Sequence, residues 1–297
     1  MGRHFLWRME AQVSYAASGA ICELFEKSCM AVSYFENQER PGEWRVEGFS
    51  SVEPDRSVLE REILKICSSF GEAPFSALRC ELVQPRDWLK ENIEHFQPTE
   101  VGRFFIHGSH FDGNVPPGRT PILLDPGTAF GSGEHASTAG CLQMIAKLSK
   151  AHRFFRPLDM GCGSGILSIA MAKTWPVHVV AADVDLEAVR VTASNAKRNG
   201  VALLISGIYS RGYNSRRIKL GGPYDLITAN IFTRPLIAMA RDLGRNLRYK
   251  SKGGGMVILS GLLERDGQRI IAAHQPHGLV LRDRVVLDGW LTMVLQR

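Results

Sequence analysis

Residues 159 to 165 read Asp-Met-Gly-Cys-Gly-Ser-Gly, and no other stretch restricts the possible folds as much. Three glycines at alternate positions follow an acid. Leu158 leads in, and the apolar run Ile166-Leu167-Ser168-Ile169-Ala170-Met171-Ala172 leads out, so the glycines mark a corner between a strand and a helix. A corner without Cβ atoms lets a ligand lie against backbone N–H groups at the edge of a parallel sheet. Gly161 and Gly163 are the expected contacts. A nicotinamide or flavin fingerprint requires its third glycine at position 166, where Ile166 stands. The spacing therefore favours S-adenosylmethionine over a dinucleotide.

The run Val177-His178-Val179-Val180-Ala181-Ala182-Asp183-Val184-Asp185 reads as a buried strand that ends in an acid. A carboxylate there can accept from both hydroxyls of a ribose. Asp183 is the expected ribose ligand and Asp185 the alternative. Either acid also suits the N-cap of a helix beginning near Leu186.

At 297 residues the chain has room for two domains, and 44% apolar with 22% charged residues suits a globular protein. No apolar run approaches the length that spans a bilayer, and the first residues lack the apolar core of a secretion signal. Cytoplasmic residence without membrane association is the expectation. The six cysteines have no CxxC spacing, which argues for reduced thiols and against a structural metal. Residues 1–98 hold 11 Lys/Arg against 16 Asp/Glu, and the remainder holds 25 against 14. An acidic front suits a basic protein, and a basic back suits nucleic acid or an acidic ligand.

Segment order supports the division. Strand and helix patterns at 6–14, 16–27, 30–36, 44–49, 55–70 and 76–83 give βαββαβ, the order of an α+β ferredoxin-like sandwich, with Pro41-Gly42 turning the middle hairpin. Residues 87–97 read as a short helix stopped by Pro98. The expected domains are 1–85, a helical linker at 86–100, and 101–297. After the linker, 103–107 and 120–125 read as a hairpin across Pro116-Pro117-Gly118. Helices are expected at 137–150, 166–173, 186–199, 234–247 and 263–273. With strands at 224–231, 256–260, 279–287 and 291–296 they predict a Rossmann-like, doubly wound, seven-stranded sheet with an antiparallel edge.

Asn230 closes the strand expected beside the glycine corner, so its amide oxygen can accept from an attacking amine. A turn residue bonding its own backbone is the plainer role for it. Methyl transfer from a sulfonium needs an uncharged amine held in line. A free lysine, with a pKa of about 10.4, requires desolvation to present one. The loop Gly127-Thr128-Ala129-Phe130-Gly131-Ser132-Gly133-Glu134-His135 enters a helix through hydroxyl residues and resembles a lid. There Thr138 can meet a carboxylate, while Phe130 and Phe232 serve either as walls near a sulfonium or as core. His135 suits a lid hydrogen bond, and Cys162 a small filler rather than a nucleophile.

Assembled, these residues resemble the ribosomal protein L11 methyltransferases, the PrmA family, over essentially the whole chain. The likeness rests on Leu124-Asp125-Pro126-Gly127-Thr128-Ala129-Phe130-Gly131 with His135 and Thr138, and on the glycine corner through Ile169. Asn195-Ala196, Asn199-Gly200-Val201, Ala229-Asn230-Ile231 with Pro235-Leu236, Gly254, and Leu259-Ser260-Gly261 add to it. It implies methylation of lysine side chains and the N-terminal amine of ribosomal protein L11, with S-adenosylmethionine as donor and no metal. It implies cofactor contacts at Thr138, Gly161, Asp183 and Asn230; Thr128, Phe130 and Gly163 are further expected contacts, and Asn230 is also the expected catalytic residue. A front domain swinging on the linker would bring different amines to one site. Departures are Glu134 and Ala136 in the lid, Gly289 where the family has an acid before Trp290, and an inserted basic stretch from Arg211 to Lys219. The stretch suits a solvated loop or a ribosomal RNA contact. Competing readings are a lysine methyltransferase of the electron-transfer flavoprotein beta subunit, a non-catalytic S-adenosylmethionine-responsive RNA-binding module and, weakest, a dehydrogenase.

Overall fold

A computed structural model describes residues 6–29, 31–37, 40, 42–83, 96–125, 135–249, 251 and 253–297. The chain divides into two compact units, Met1–Glu91 and Asn92–Arg297. Most of the stretch expected as a helical linker lies outside the described residues. Phe96, near its far end, and Val101, just past it, are buried in the core of the second unit.

The first unit runs β1 (Leu6–Ser14), α1 (Tyr15–Glu26), β2 (Ala31–Glu36), β3 (Glu43–Ser50), α2 (Arg56–Ser69) and β4 (Arg79–Val83). Its sheet has the order β2-β3-β1-β4 with every neighbour antiparallel, so each helical crossover spans one intervening strand. Alternation along β1 decides the faces. Met9, Ala11 and Val13 join Ile21 and Phe25 of α1 and Leu59 and Ile63 of α2 in one core. On the other face Arg8 pairs with Glu10 at 2.8 Å, Glu47 at 2.5 Å and Glu81 at 3.1 Å. Ser14 and Asp55 cap the two helices by accepting from Ala17 N and Val58 N.

The second unit opens with β5 (Thr99–Val101), β6 (Phe104–His107) and β7 (Thr120–Leu123). The hairpin expected of β6 and β7 is absent, because the two strands pair in parallel. The intervening segment returns the chain to the start of β6, where Thr120 N donates to Arg103 O at 2.8 Å. The antiparallel partner of β6 is instead β5.

The main sheet follows, through α3 (Ala136–Leu148), β8 (Pro157–Met160), α4 (Ile166–Thr174), β9 (Val179–Asp183), α5 (Leu186–Arg198), β10 (Ile205–Tyr209), α6 (Arg216–Gly221), β11 (Leu226–Asn230), α7 (Thr233–Asn246), β12 (Met256–Leu263), α8 (Gly267–His274), β13 (Val280–Leu287) and β14 (Trp290–Gln296). Its seven strands lie in the order β10-β9-β8-β11-β12-β14-β13. The antiparallel strand expected at the edge is β14, which sits one place in, between β12 and β13. One core packs α3 and α4 on one face, and a second packs α7 and α8 on the other. Helix α4 buries every residue from Ile166 to Ala172, which explains a sequence with no polar stripe.

Two further expectations change. A helix expected from Leu263 starts only at Gly267, because β12 continues past a bulge at Gly261 to pair Leu262 with Leu291 and Leu263 with Trp290. The basic stretch from Arg211 to Lys219 is folded rather than a solvated loop, with Tyr213 and Ile218 buried against the second core.

Candidate active site

Strand register brings three of the expected residues into one row. Thr228 pairs with Asp159 and Met160 with Ala182, so Asn230, Gly161 and Asp183 stand level at the carboxyl ends of the adjacent strands β11, β8 and β9. Two strand spacings separate Asn230 from Asp183, roughly 10 Å.

The glycine corner needs its glycines. Gly161, Gly163 and Gly165 have φ of +77°, +51° and +82°, where L side chains are strained. A Cβ on Gly161 would meet Ile231 Cγ2 at 2.3 Å. The corner's amides, however, are engaged within the protein: Gly161 N and Cys162 N donate to Ala182 O, Gly163 N to Asp183 Oδ2 at 3.0 Å, and Gly165 N to Cys162 O. The expectation of a ligand against N–H groups is therefore corrected for these four. Thr192 Oγ1 donates to Gly163 O at 3.0 Å and Asn195 Nδ2 to Ser164 O at 2.9 Å, while no described group donates to Gly161 O. This geometry offers an acceptor to a cation, unlike a pyrophosphate cradle built from amides.

Asp183 spends one acceptor site of each oxygen on a backbone amide, Oδ2 on Gly163 N of the corner and Oδ1 on Asp185 N, both at 3.0 Å. A carboxylate has about four such sites, which leaves capacity for two hydroxyls. Asp185, the alternative ribose ligand, is the N-cap of α5 and accepts from Glu187 N at 2.8 Å.

Asn230 Nδ2 donates to Thr138 Oγ1 at 3.2 Å, and Thr138 is fully buried in the first turn of α3. That bond fixes the amide's orientation. Asn230 Oδ1 is buried and has no partner among the described residues. An orphaned buried carbonyl costs about 1–3 kcal/mol, a penalty that a donor from a ligand removes. The turn-residue role does not fit, because the side chain bonds across 92 positions of sequence rather than to its own backbone.

His135 caps α3, its Nδ1 lying 2.8 Å from Ser137 Oγ and accepting from Ser137 N, while its ring packs edge-on against Trp290 at 4.5 Å. Burial lowers its pKa. Gly289, which precedes Trp290 in place of the family's acid, has φ +77° in the turn between β13 and β14. Burial pushes the Cys162 thiol up, consistent with a filler. Phe232 is 76% exposed, so it is neither core nor wall of an enclosed pocket. Thr128, Phe130 and Glu134 lie outside the described residues. Among the described residues no three His, Cys, Asp or Glu side chains could share a metal ion.

Sequence reasoning missed a buried frame behind the row. Asp159, wholly buried, accepts from Ser168 Oγ and Thr228 Oγ1, both at 2.7 Å, tying β8 to α4 and β11. Burial outweighs those two hydroxyls and raises its carboxyl from 3.8 to about 6. Its position before the first glycine was the signal available. Asn199 grips β7 in both directions, Nδ2 to Leu123 O at 2.7 Å and Leu123 N to Oδ1 at 2.9 Å.

Comparison with known proteins agrees with this geometry. Residues 9–297 match the family model described as ribosomal protein L11 methyltransferase (PrmA). A protein of that name from Rhizobium meliloti (strain 1021) is 36% identical over 295 residues, 99% of each chain. Another, from Rhizobium etli, is 37% identical across 93% of this chain and 92% of its own. The crystal structure of ribosomal protein L11 methylase from Lactobacillus delbrueckii subsp. bulgaricus superposes with TM-score 0.60 at 25% identity, covering 68% of this chain and 99% of that one. The glycine corner, the carboxylate of Asp183 and the amide at the row's end thus belong to a member of the PrmA family of S-adenosylmethionine-dependent methyltransferases.

Proposed function

We propose that this chain methylates amines of ribosomal protein L11, the lysine side chains and the N-terminal amine, in the cytoplasm. S-adenosylmethionine supplies a methyl group on a positively charged sulfur, an electrophile that needs no acid catalyst. Asp183 would hold the ribose, the Gly161 carbonyl and Thr138 the amino-acid portion, and Gly163 the wall between them; Thr128 and Phe130 belong to this reading as further contacts. Asn230 does the positioning. Its Oδ1 accepts an N–H of the incoming amine, and the bond to Thr138 keeps the oxygen rather than the amino group turned to receive it. The orphaned Oδ1 is the observation that carries the proposal. The first unit, acidic in sequence and backed by its own core, serves as the module that recognises the basic ribosomal protein.

The test is incubation with labelled S-adenosylmethionine and either unmethylated L11 or the electron-transfer flavoprotein beta subunit, followed by peptide mass mapping. Methyl groups on several L11 amines are expected. Label on the flavoprotein alone, or on neither, would overturn the reading.

A further inference from the structure

The opposite edge of the main sheet has its own chemistry. A groove of about 560 Å³ opens at the amino ends of β8, β9 and β10, lined by Phe155, Arg156, His178, Arg217 and Leu220 among others. The segments that form this edge, 149–158, 174–182 and 202–224, contain seven Lys/Arg and no Asp or Glu. Arg153, Arg156, Arg216, Arg217 and Lys219 are exposed and make no ion pair with a described carboxylate. Asp225, the acid that follows these segments, is 1% exposed and already engaged by Phe155 N, Arg156 N and Arg248. Phe155 is 59% and Leu220 72% exposed, and the Arg153 guanidinium lies 5.8 Å from the Phe155 ring centre.

The basic character continues along the same edge. Tyr224 joins the groove to the end of α7 through Tyr224 N to Asn246 O and Arg248 N to Tyr224 O. Beyond lies a second depression with Arg241, Arg245 and Arg297 in its lining. The inserted stretch is what builds this surface: buried Tyr213 and Ile218 anchor it, and Arg216, Arg217 and Lys219 face outward.

We propose that this groove binds single-stranded RNA, Arg156 and Arg217 in its lining and Arg153, Arg216 and Lys219 in the flanking segments tracking the phosphates while a base stacks on Phe155. Unpaired cations next to an exposed aromatic ring match a strand with one negative charge per nucleotide and an accessible base face. An acidic peptide would match the charge but place no base on the exposed Phe155 ring. The inference does not depend on the methyl-transfer reading, because the two sites lie on opposite edges of the sheet.

The test uses the full chain and a fluorescein-labelled oligouridylate of about 20 nucleotides, with anisotropy followed across a salt series. The triple variant R156Q/R217Q/K219Q should bind at least tenfold more weakly, and its slope of log K against log salt should be shallower by about 2. Phe155→Ala should lose about tenfold with the slope unchanged. Both variants should keep the melting temperature, the S-adenosylmethionine affinity and the methyl-transfer rate of the parent chain. Absence of binding at low salt, equal binding by the triple variant, or displacement of the RNA by polyglutamate at matched charge would overturn the proposal. Loss of methyl transfer in the parent chain would count against the other reading alone.

Discussion

The two edges of the seven-stranded sheet are built from opposite chemistries. At the carboxyl edge the groups presented are acceptors: the carboxylate of Asp183, the amide oxygen of Asn230 and the carbonyl of Gly161. At the amino edge they are donors, on Arg153, Arg156, Arg216, Arg217 and Lys219, which make no ion pair with a described carboxylate. Acceptors suit a ligand with hydroxyls, an ammonium and an amine partner, whereas free guanidinium groups suit phosphates.

The sharpest way to break this comparison is Asp183→Ala. Two charge-assisted bonds of about 1.5–3 kcal/mol each would be lost, so the affinity for S-adenosylmethionine measured by calorimetry should fall roughly 100-fold or more. An unchanged affinity would remove Asp183 from the row. Asn230→Ala is expected to act on rate instead. Turnover should fall about 100-fold, an effect of positioning, with cofactor affinity changed only a few-fold. If cofactor affinity fell while turnover at saturating cofactor stayed unchanged, Asn230 would be a cofactor ligand only.

The smallest expected effect concerns the frame behind the row. Asp159 titrates near 6 in the folded chain against 3.8 as its ordinary value. Between about pH 4 and 6 the folded form keeps a proton that the unfolded chain loses, so this group's contribution to stability declines as pH rises through that window and is level above it. Asp159→Asn lacks the decline. The melting temperature of the variant relative to the parent should therefore rise from pH 4 to pH 6 and then hold constant, as followed by calorimetric scans. A gap that stays flat with pH would mean that Asp159 is ionised throughout.

Much of this architecture was legible because it is local. The alternation Met9-Ala11-Val13, the apolar stretch after Gly165 and the acid at Asp183 each announce an element within a few residues. The same is true of Asp185 as a cap. What could not be read depends on partners far along the chain. Strands β6 and β7 look like a hairpin because a Pro-Pro-Gly turn lies between them, yet their direction is set by β5 and by Asn199, 76 positions away from Leu123. Tyr213 and Ile218 look like part of a basic loop until a second core is there to receive them. The row itself was half legible: the glycines and Asp183 have a spacing, but only the register of β11 on β8 places Asn230 beside them. The orphaned state of its oxygen has no sequence signal at all.

Ile231 sits between two glycines, one in the corner after β8 and one within β12. A methyl group on Gly161 would strike its Cγ2 at 2.3 Å, and one on Gly261 would strike its backbone O, C and N at 2.6–2.8 Å. In genetic terms the two positions differ in whether a second change can repair the first. Truncating Ile231 to alanine removes the atom that blocks Gly161→Ala and leaves only the backbone strain of a positive φ, about 1–2 kcal/mol. No side chain at 231 can move the backbone that blocks Gly261→Ala. An intragenic suppressor screen should therefore recover small residues at 231 from the first lesion and none there from the second.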